Sequence, residues 1–232
     1  MKIAIISDIH ANIEALQAVF SKVDELHPDV IICLGDLVGY GPFPNECIER
    51  IREKEISTVL GNHDAAITGS QNMEMFREPN RSLLKWTASQ VTKDNLSYLM
   101  ELPLTMKFDN SIAAHASPSD PHKWPYMDSA VKCRNLFSEF DEDFCFIGHT
   151  HVPGLIPEQP GIFRIKSGIR YIINPGSVSQ SRDQDKRASF GLMDMNKLEY
   201  KNYRVNYSNQ KTYERLDDMG YSDKEIRRLL NS

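Results

Sequence analysis

MKIAIISDIHANIEAL, residues 1–16, decides how the rest of the chain is read. Its KIAIIS run (2–7) is short, apolar and rich in isoleucine, the pattern of a strand buried on both faces. The run stops at Asp8 and His10. The period then changes. Over 12–26 the apolar residues Ile13, Leu16, Val19, Phe20, Val23 and Leu26 recur at helical spacing, and Asn12 stands where an N-cap belongs. VIICL (30–34) reads as a second strand, 44–54 as a second helix with Pro44 in its first turn, and STVL (57–60) as a third strand. Strand–helix–strand–helix–strand implies parallel strands joined by right-handed crossovers.

Working outward, residues 65–102 break this rhythm. They hold RSLLKWTASQV and NLSYLMEL but no convincing strand, so they read as a helical insertion beside the sheet. Because the insertion follows GNHD directly, it is expected to overhang the functional rim. Arg77, Asn80, Arg81 and Trp86 are its candidate contacts, although Trp86 is read more simply as core packing. From about 104 the chain turns β-rich: LTMKF, SIAAHA, FCFIGHTH, IFRIK, IRYIINPG, ASFGLMDM and LEYKNYRV, with one helix around 128–138. YERLDDMG and SDKEIRRLL read as short surface helices. Without an internal repeat or linker, residues 1–232 are expected to form a single domain.

Composition narrows the class. A length of 232 residues suits one α/β domain with a small insertion. The formal net charge is −5 and no long Lys/Arg run occurs, so an extended nucleic-acid surface is not indicated. Small or nucleotide phosphates remain open as substrates, because metals rather than surface charge can hold them. The four cysteines, Cys33, Cys47, Cys133 and Cys145, form no CxxC, which argues against a thiolate zinc site. The first apolar stretch is too short for a signal peptide, and nothing approaches the ~18 apolar residues of a membrane span. The expectation is a cytoplasmic protein with free thiols.

Histidine placement carries the chemistry. Five of the seven histidines fall at the ends of strand-like runs, beside other ligand-type residues. Asp8 and His10 follow KIAIIS, Asp36 follows VIICL, and Asn62-His63-Asp64 follows STVL. His115 ends SIAAHA, and His149 and His151 follow FCFI. Each cluster has an ordinary explanation: a helix-capping loop for Asp8-x-His10, a turn for Gly35-Asp36, a hydrogen-bonded polar loop for 62–64, a structural role for His115. His149-x-His151 alone is a moderate metal signal. Together they are hard to explain as packing, because an open α/β sheet binds ligands beyond the carboxyl ends of its strands. His27 and His122 lie in HPD and DPHKWP turns and read as surface residues.

The order D-x-H, G-D, G-N-H-D, H, G-H-x-H resembles the calcineurin-like metallophosphoesterase superfamily. SDIHANIEAL, GDLVGYGPFPNE and NPGSVSQSRDQDKRASF are similar to its small prokaryotic branch. The resemblance implies a four-layer αββα sandwich of two mixed β-sheets flanked by helices, with metals at one sheet edge. It also implies that Asp8, His10 and His151 bind one metal, that Asn62, His115 and His149 bind a second, and that Asp36 bridges them. Oxygen and imidazole donors without thiolate suit two divalent transition ions, Mn first, with Fe, Zn, Co or Ni as alternatives. Two such ions about 3.5–4 Å apart can share a water, lower its pKa and present hydroxide to phosphorus. His63 would contact phosphate and protonate the leaving oxygen, or else orient other ligands. The implied reaction is hydrolysis of small or nucleotide-like phosphate mono- or diesters. The alternatives are a phosphoprotein phosphatase and a non-catalytic scaffold on the same fold. One departure stands out: protein phosphatases of the superfamily carry GDYVDRG where this chain has GDLVGYG, so Gly39 and Tyr40 replace an acid and an arginine. Arg182, Arg187, Tyr40 and Arg81 are therefore the substrate-binding candidates, the arginines of SRDQDKRASF reading equally well as solvated surface residues.

Overall fold

The alternation within β1 (Lys2–Ile6) shows how the layers are built. Ile3 and Ile5 point into one apolar cluster, and Ala4 and Ile6 into another. The first cluster lies between two sheets; the second lies between the first sheet and its helices. The computed structural model describes residues 1–162 and 164–230.

The first sheet joins β1 to β2 (Val30–Cys33) and β3 (Ser57–Thr58) in parallel. On its other side β1 pairs antiparallel with β9 (Ala188–Asp194), which pairs antiparallel with β10 (Glu199–Val205). The second sheet has the order β4 (Thr105–Phe108), β5 (Ser111–Ala114), β6 (Phe144–Phe146), β8 (Tyr171–Asn174), β7 (Gly154–Pro157). Its three central strands are parallel and its edges antiparallel. Phe144, Phe146, Tyr171 and Ile173 face the first sheet, and Cys145, Ile147 and Ile172 face the opposite way. The result is two mixed five-stranded sheets packed face to face and flanked by helices, the expected αββα arrangement.

The helices follow the sequence pattern closely. α1 (Ile13–Leu26) lays Ile13, Leu16, Val19, Phe20 and Val23 on the first sheet, and Asn12 caps it by accepting from the Ala15 N–H at 3.0 Å. α2 (Pro44–Glu53) begins on its proline. The helical segment is α3 (Asn62–Thr68), α4 (Asn80–Gln90) and α5 (Lys93–Glu101), with a 3₁₀ turn at Met73–Met75. It therefore starts at Asn62, not 65: Asn62-His63-Asp64 is a helix N-terminus rather than a loop. α6 (Ala130–Asn135) packs Cys133 on the second sheet. α7 (Gln210–Asp218) and α8 (Asp223–Leu230) bury Leu216, Ile226, Leu229 and Leu230 against Leu83 of α4.

Two strand assignments differ from the sequence reading. STVL forms only the two-residue β3, because the chain peels away at Leu60, whose N–H bonds the Pro103 carbonyl. IFRIK forms no strand at its described residues; Phe163 lies outside them. Ile162 and Ile165 instead lie partly buried against the inter-sheet cluster, while the sheet edge is taken by GLIP as β7. Its Pro157 is tolerated because an edge strand leaves one row of N–H groups unused.

Candidate metal centre

All six parallel strands end at the same rim. β1, β2 and β3 deliver Asp8 and His10, Asp36, and Asn62 from the first sheet; β5 and β6 deliver His115, His149 and His151 from the second. Tight turns leave β1, β2 and β6, and the backbone records them. Asp8, His10, Asp36, His149 and His151 all have φ between 50° and 64°. That left-handed region costs roughly 1–2 kcal/mol per non-glycine residue. Such strain persists where the surroundings over-determine it, which marks functional turns. Gly148 shows how close the two sheets come: a Cβ there would meet Ser7 Oγ at 2.0 Å and Asp8 Oδ2 at 2.9 Å.

Each carboxylate is divided between scaffold and centre. Asp36 Oδ1 accepts the His63 backbone N–H at 2.8 Å, tying it to the start of α3. Its Oδ2 faces His115 Nε2 at 3.4 Å and His10 Nε2 at 3.8 Å. Asp8 Oδ2 accepts the His149 N–H at 3.2 Å. Its Oδ1 is buried, makes no hydrogen bond, and faces His151 Nε2 at 3.2 Å, His115 Nε2 at 3.9 Å and His10 Nε2 at 4.0 Å.

The imidazoles are oriented the same way. His10, His115 and His151 each place Nδ1 on a backbone carbonyl, of Val38 at 3.2 Å, Leu34 at 2.7 Å and Gln180 at 2.7 Å. A carbonyl only accepts, so each Nδ1 carries the proton and each Nε2 of a neutral ring presents a lone pair. Those Nε2 atoms are crowded: 3.1 Å between His10 and His151, 3.1 Å from His115 to Asn62 Oδ1, and 3.2 Å from His115 to His149 Nδ1. Lone pairs held this close repel unless a proton or a cation lies between them. The donor set of imidazole, carboxylate and amide oxygen fits divalent transition ions. Three groups bring their ligand atoms within 4.8 Å of one another: Asp8, His10 and His151; His10, Asp36 and His63; Asp36, His115 and His149.

Electrostatics point the same way. Burial opposes ionisation of Asp36, but His115 and His63 hold it well below the usual carboxylate range. Burial likewise opposes Asp8, which His151 and then His115 hold low. Burial drives His10 well down, His63 to about 4 and His149 to about 3. His115 alone goes the other way: burial would lower it, but Asp36 and Asp8 raise it to about 9. Two carboxylates are thus held ionised where burial disfavours charge, a demand that bound cations would meet.

A family model for the calcineurin-like phosphoesterase superfamily domain matches residues 1–198. The chain belongs to that superfamily. A metallophosphoesterase from Sphaerobacter thermophilus is 38% identical, with 99% of this chain and 98% of that one covered and a TM-score of 0.85. An uncharacterised protein of Methanocaldococcus jannaschii is 35% identical over 230 residues, 92% of this chain and 91% of its own. A hypothetical protein from Pyrococcus horikoshii, 20% identical, shares the fold over 99% of this chain and 97% of its own, at a TM-score of 0.83.

Within this member of the superfamily the remaining candidates separate. Tyr40, Arg77, Asn80 and Arg182 line a cleft of about 800 Å³ over the histidine–aspartate cluster, together with Phe76 and Tyr126. Arg81 and Arg187 do not line it. Arg81 turns outward to Glu74 and Glu78, and Arg187 pairs with Asp185 at 2.6 Å, so both are engaged elsewhere. Trp86 is half-buried on α4 and also stands away from the cleft. His27 and His122 are exposed, as expected. His63 packs edge-on against His10 at 4.8 Å and Phe76 at 5.0 Å, with Nδ1 buried and unpaired. A Cβ at Gly39 would meet that Nδ1 at 2.2 Å, and Gly39 has φ 95°. No side chain at position 39 can orient the ring in this backbone.

Three positioning residues escaped the sequence reading. Asp64 accepts from Val38 N–H and Gly61 N–H, both at 3.1 Å, and clamps the GDLV turn to α3. Asn174 donates to the Gly148 carbonyl at 2.7 Å and Thr150 Oγ1 at 3.0 Å, and Ser177 Oγ donates to the Asp8 carbonyl at 2.8 Å. The NPGS motif was a visible signal for the last two. Tyr126 lies in an irregular stretch that carried none.

Proposed function

We propose that this chain is a phosphoesterase that holds two divalent transition ions, Mn first among Mn, Fe, Zn, Co and Ni, and hydrolyses small or nucleotide-like phosphate esters. Asp8, His10 and His151 would hold one ion, Asn62, His115 and His149 the other, with Asp36 shared. The observation that carries this reading is the convergence of imidazole Nε2 atoms whose Nδ1 protons are committed to backbone carbonyls. Bound divalent cations supply Lewis acidity, lowering the pKa of water and neutralising phosphoryl charge. The chain supplies the rest. Asp36 keeps one oxygen on α3 and offers the other. Arg182 presents a cation to the phosphoryl oxygens from the cleft wall. His63, beside the ligands with a free Nδ1, is placed to hand a proton to the leaving oxygen, and the burial that lowers its pKa to about 4 makes it a strong acid once protonated.

Both sheets contribute to one centre, which supports treating 1–232 as one working domain. The four free, buried cysteines support a cytoplasmic location. No helix among the described residues is long and apolar enough to cross a membrane. Elemental analysis after Mn loading should approach two equivalents per chain, and p-nitrophenyl phosphate, its bis ester and nucleotides should reveal turnover that chelation abolishes. Mn binding near zero, or turnover indifferent to chelator, would overturn the proposal.

A further inference from the structure

The cleft has a neighbour. Behind Tyr126 and Arg182 lies a second cavity of about 290 Å³, near the lower edge of the ~300–1,000 Å³ usual for small-molecule sites. Its walls are largely apolar, built from Met127, Ala130, Cys133, Ile147, Val152 and Ile156. Tyr126 and Arg182 line both spaces. Arg182 Nη1 donates to Tyr126 Oη at 2.9 Å and Nη2 to Tyr40 Oη at 3.3 Å. Among the described residues these two phenol oxygens, and no carboxylate, are its side-chain hydrogen-bond partners. A cation with only neutral phenol partners keeps its charge available for an anion at the junction of the two spaces.

The junction also has two distinct flanks. On one, Tyr40 lies tilted against His63, ring centroids 4.8 Å apart, and His63 meets Phe76. On the other, Tyr126 packs edge-on against His149 at 5.4 Å and leads into the second cavity. Arg182 spans the two tyrosines. If His63 protonates the leaving oxygen, the leaving group lies on the His63 flank. A group seated in the second cavity is then the one that stays on phosphorus.

We infer that this cavity is a subsite for the retained ester substituent, gated by Tyr126 and Arg182, and that the preferred substrates are phosphodiesters bearing a flat apolar group there. The inference rests on the phosphoesterase reading for the direction of cleavage. In the reaction a water oxygen bonds phosphorus and sheds one proton, the bond to the leaving oxygen breaks, that oxygen takes the His63 proton, and the proton shed by water restores His63. The product in the subsite is a phosphate monoester.

Binding tests the subsite without relying on turnover. Calorimetric titration of the Mn-loaded protein should show diphenyl phosphate binding about tenfold more tightly than dimethyl phosphate, because only the former buries an apolar ring. Ala130 is exposed at the start of α6 and lines the cavity. Ala130→Trp fills it and should bring the two affinities to within about twofold of each other by removing that burial; Val152→Trp, at the exposed far wall, should do the same. Hydrolysis of phenyl and methyl p-nitrophenyl phosphates, which share a leaving group, should lose its aryl preference in both variants. Equal affinities in the unaltered protein, or a preference that survives both substitutions, would overturn the subsite. Absence of turnover on every p-nitrophenyl ester, with the affinity ratio intact, would instead sink the phosphoesterase reading and leave the subsite as a ligand site.

Discussion

The turns that follow β1, β2 and β6 and the helical segment 62–102 are both built of polar residues, yet they are held in opposite ways. In the turns the polar atoms are buried and committed: Asp8 is fully buried, Asp36 and His151 nearly so, and their backbones are strained. Along α4 the charges look outward. Arg81 and Lys85 share Glu74, and Arg81 also holds Glu78, all on the solvent side. In the first arrangement a substitution is costly, because a polar atom there loses its partner in low dielectric or, like Asp8 Oδ1, is already buried without one. The second is a set of exposed ion pairs that contribute little individually. Among the described residues the segment reaches the cleft only where it enters and first turns, at Asn62, His63, Met75, Phe76, Arg77 and Asn80.

This contrast can be broken experimentally. The largest effect is expected at Asp36, the one side chain assigned to both ions. Asp36→Asn should lower turnover by on the order of 10³-fold at saturating Mn, through lost charge stabilisation. Near-normal kinetics would mean that no shared ligand exists. His63→Ala should follow, at about 10²-fold for an alkyl leaving group, the low end of general-acid contributions, and much less for p-nitrophenolate, if its role is proton transfer. Metal content read on the same sample sharpens the assignment, since His63 lies close enough to His10 and Asp36 to be a ligand itself. Loss of one equivalent would reassign it.

Asn174→Ala probes the turns from behind. It removes the donor to Gly148 and Thr150 and the acceptor for Gly176 N–H, leaving buried groups unpaired. Metal affinity should fall about 10–100-fold and folding stability by about 1–3 kcal/mol, measured by competition with a chelator and by urea denaturation. An unchanged affinity would show that the His149–His151 turn needs no support from β8. Smallest of all, Arg81→Ala should leave the ranking of a phosphate-ester panel as it is. A changed ranking would show that the outer face of α4 does reach substrate and would erase the contrast.

Much of this was readable before any coordinates. Strict periodicity marked α1 and its Asn12 cap, and donor residues at successive strand ends marked the rim. The misses have physical causes. β7 hides behind Gly154 and Pro157, residues that discourage strands except at an edge. IFRIK looks like a strand, but two of its isoleucines are drawn to the inter-sheet core from a loop. STVL is apolar enough for a full strand, yet Pro103 captures the Leu60 N–H and ends it.

The sequence by itself determined which ligand-type residues are the candidates and that they sit at strand ends, because residue type and hydrophobic period are local properties. Only the tertiary structure decided that the rims of two sheets close on one another and which imidazole nitrogen faces inward. It alone decided that Arg182 faces the cleft while Arg81 and Arg187 are taken up by neighbouring carboxylates. Those outcomes depend on contacts between residues as far apart as His10 and His151, and on competition among neighbours for each polar atom. No local pattern encodes either.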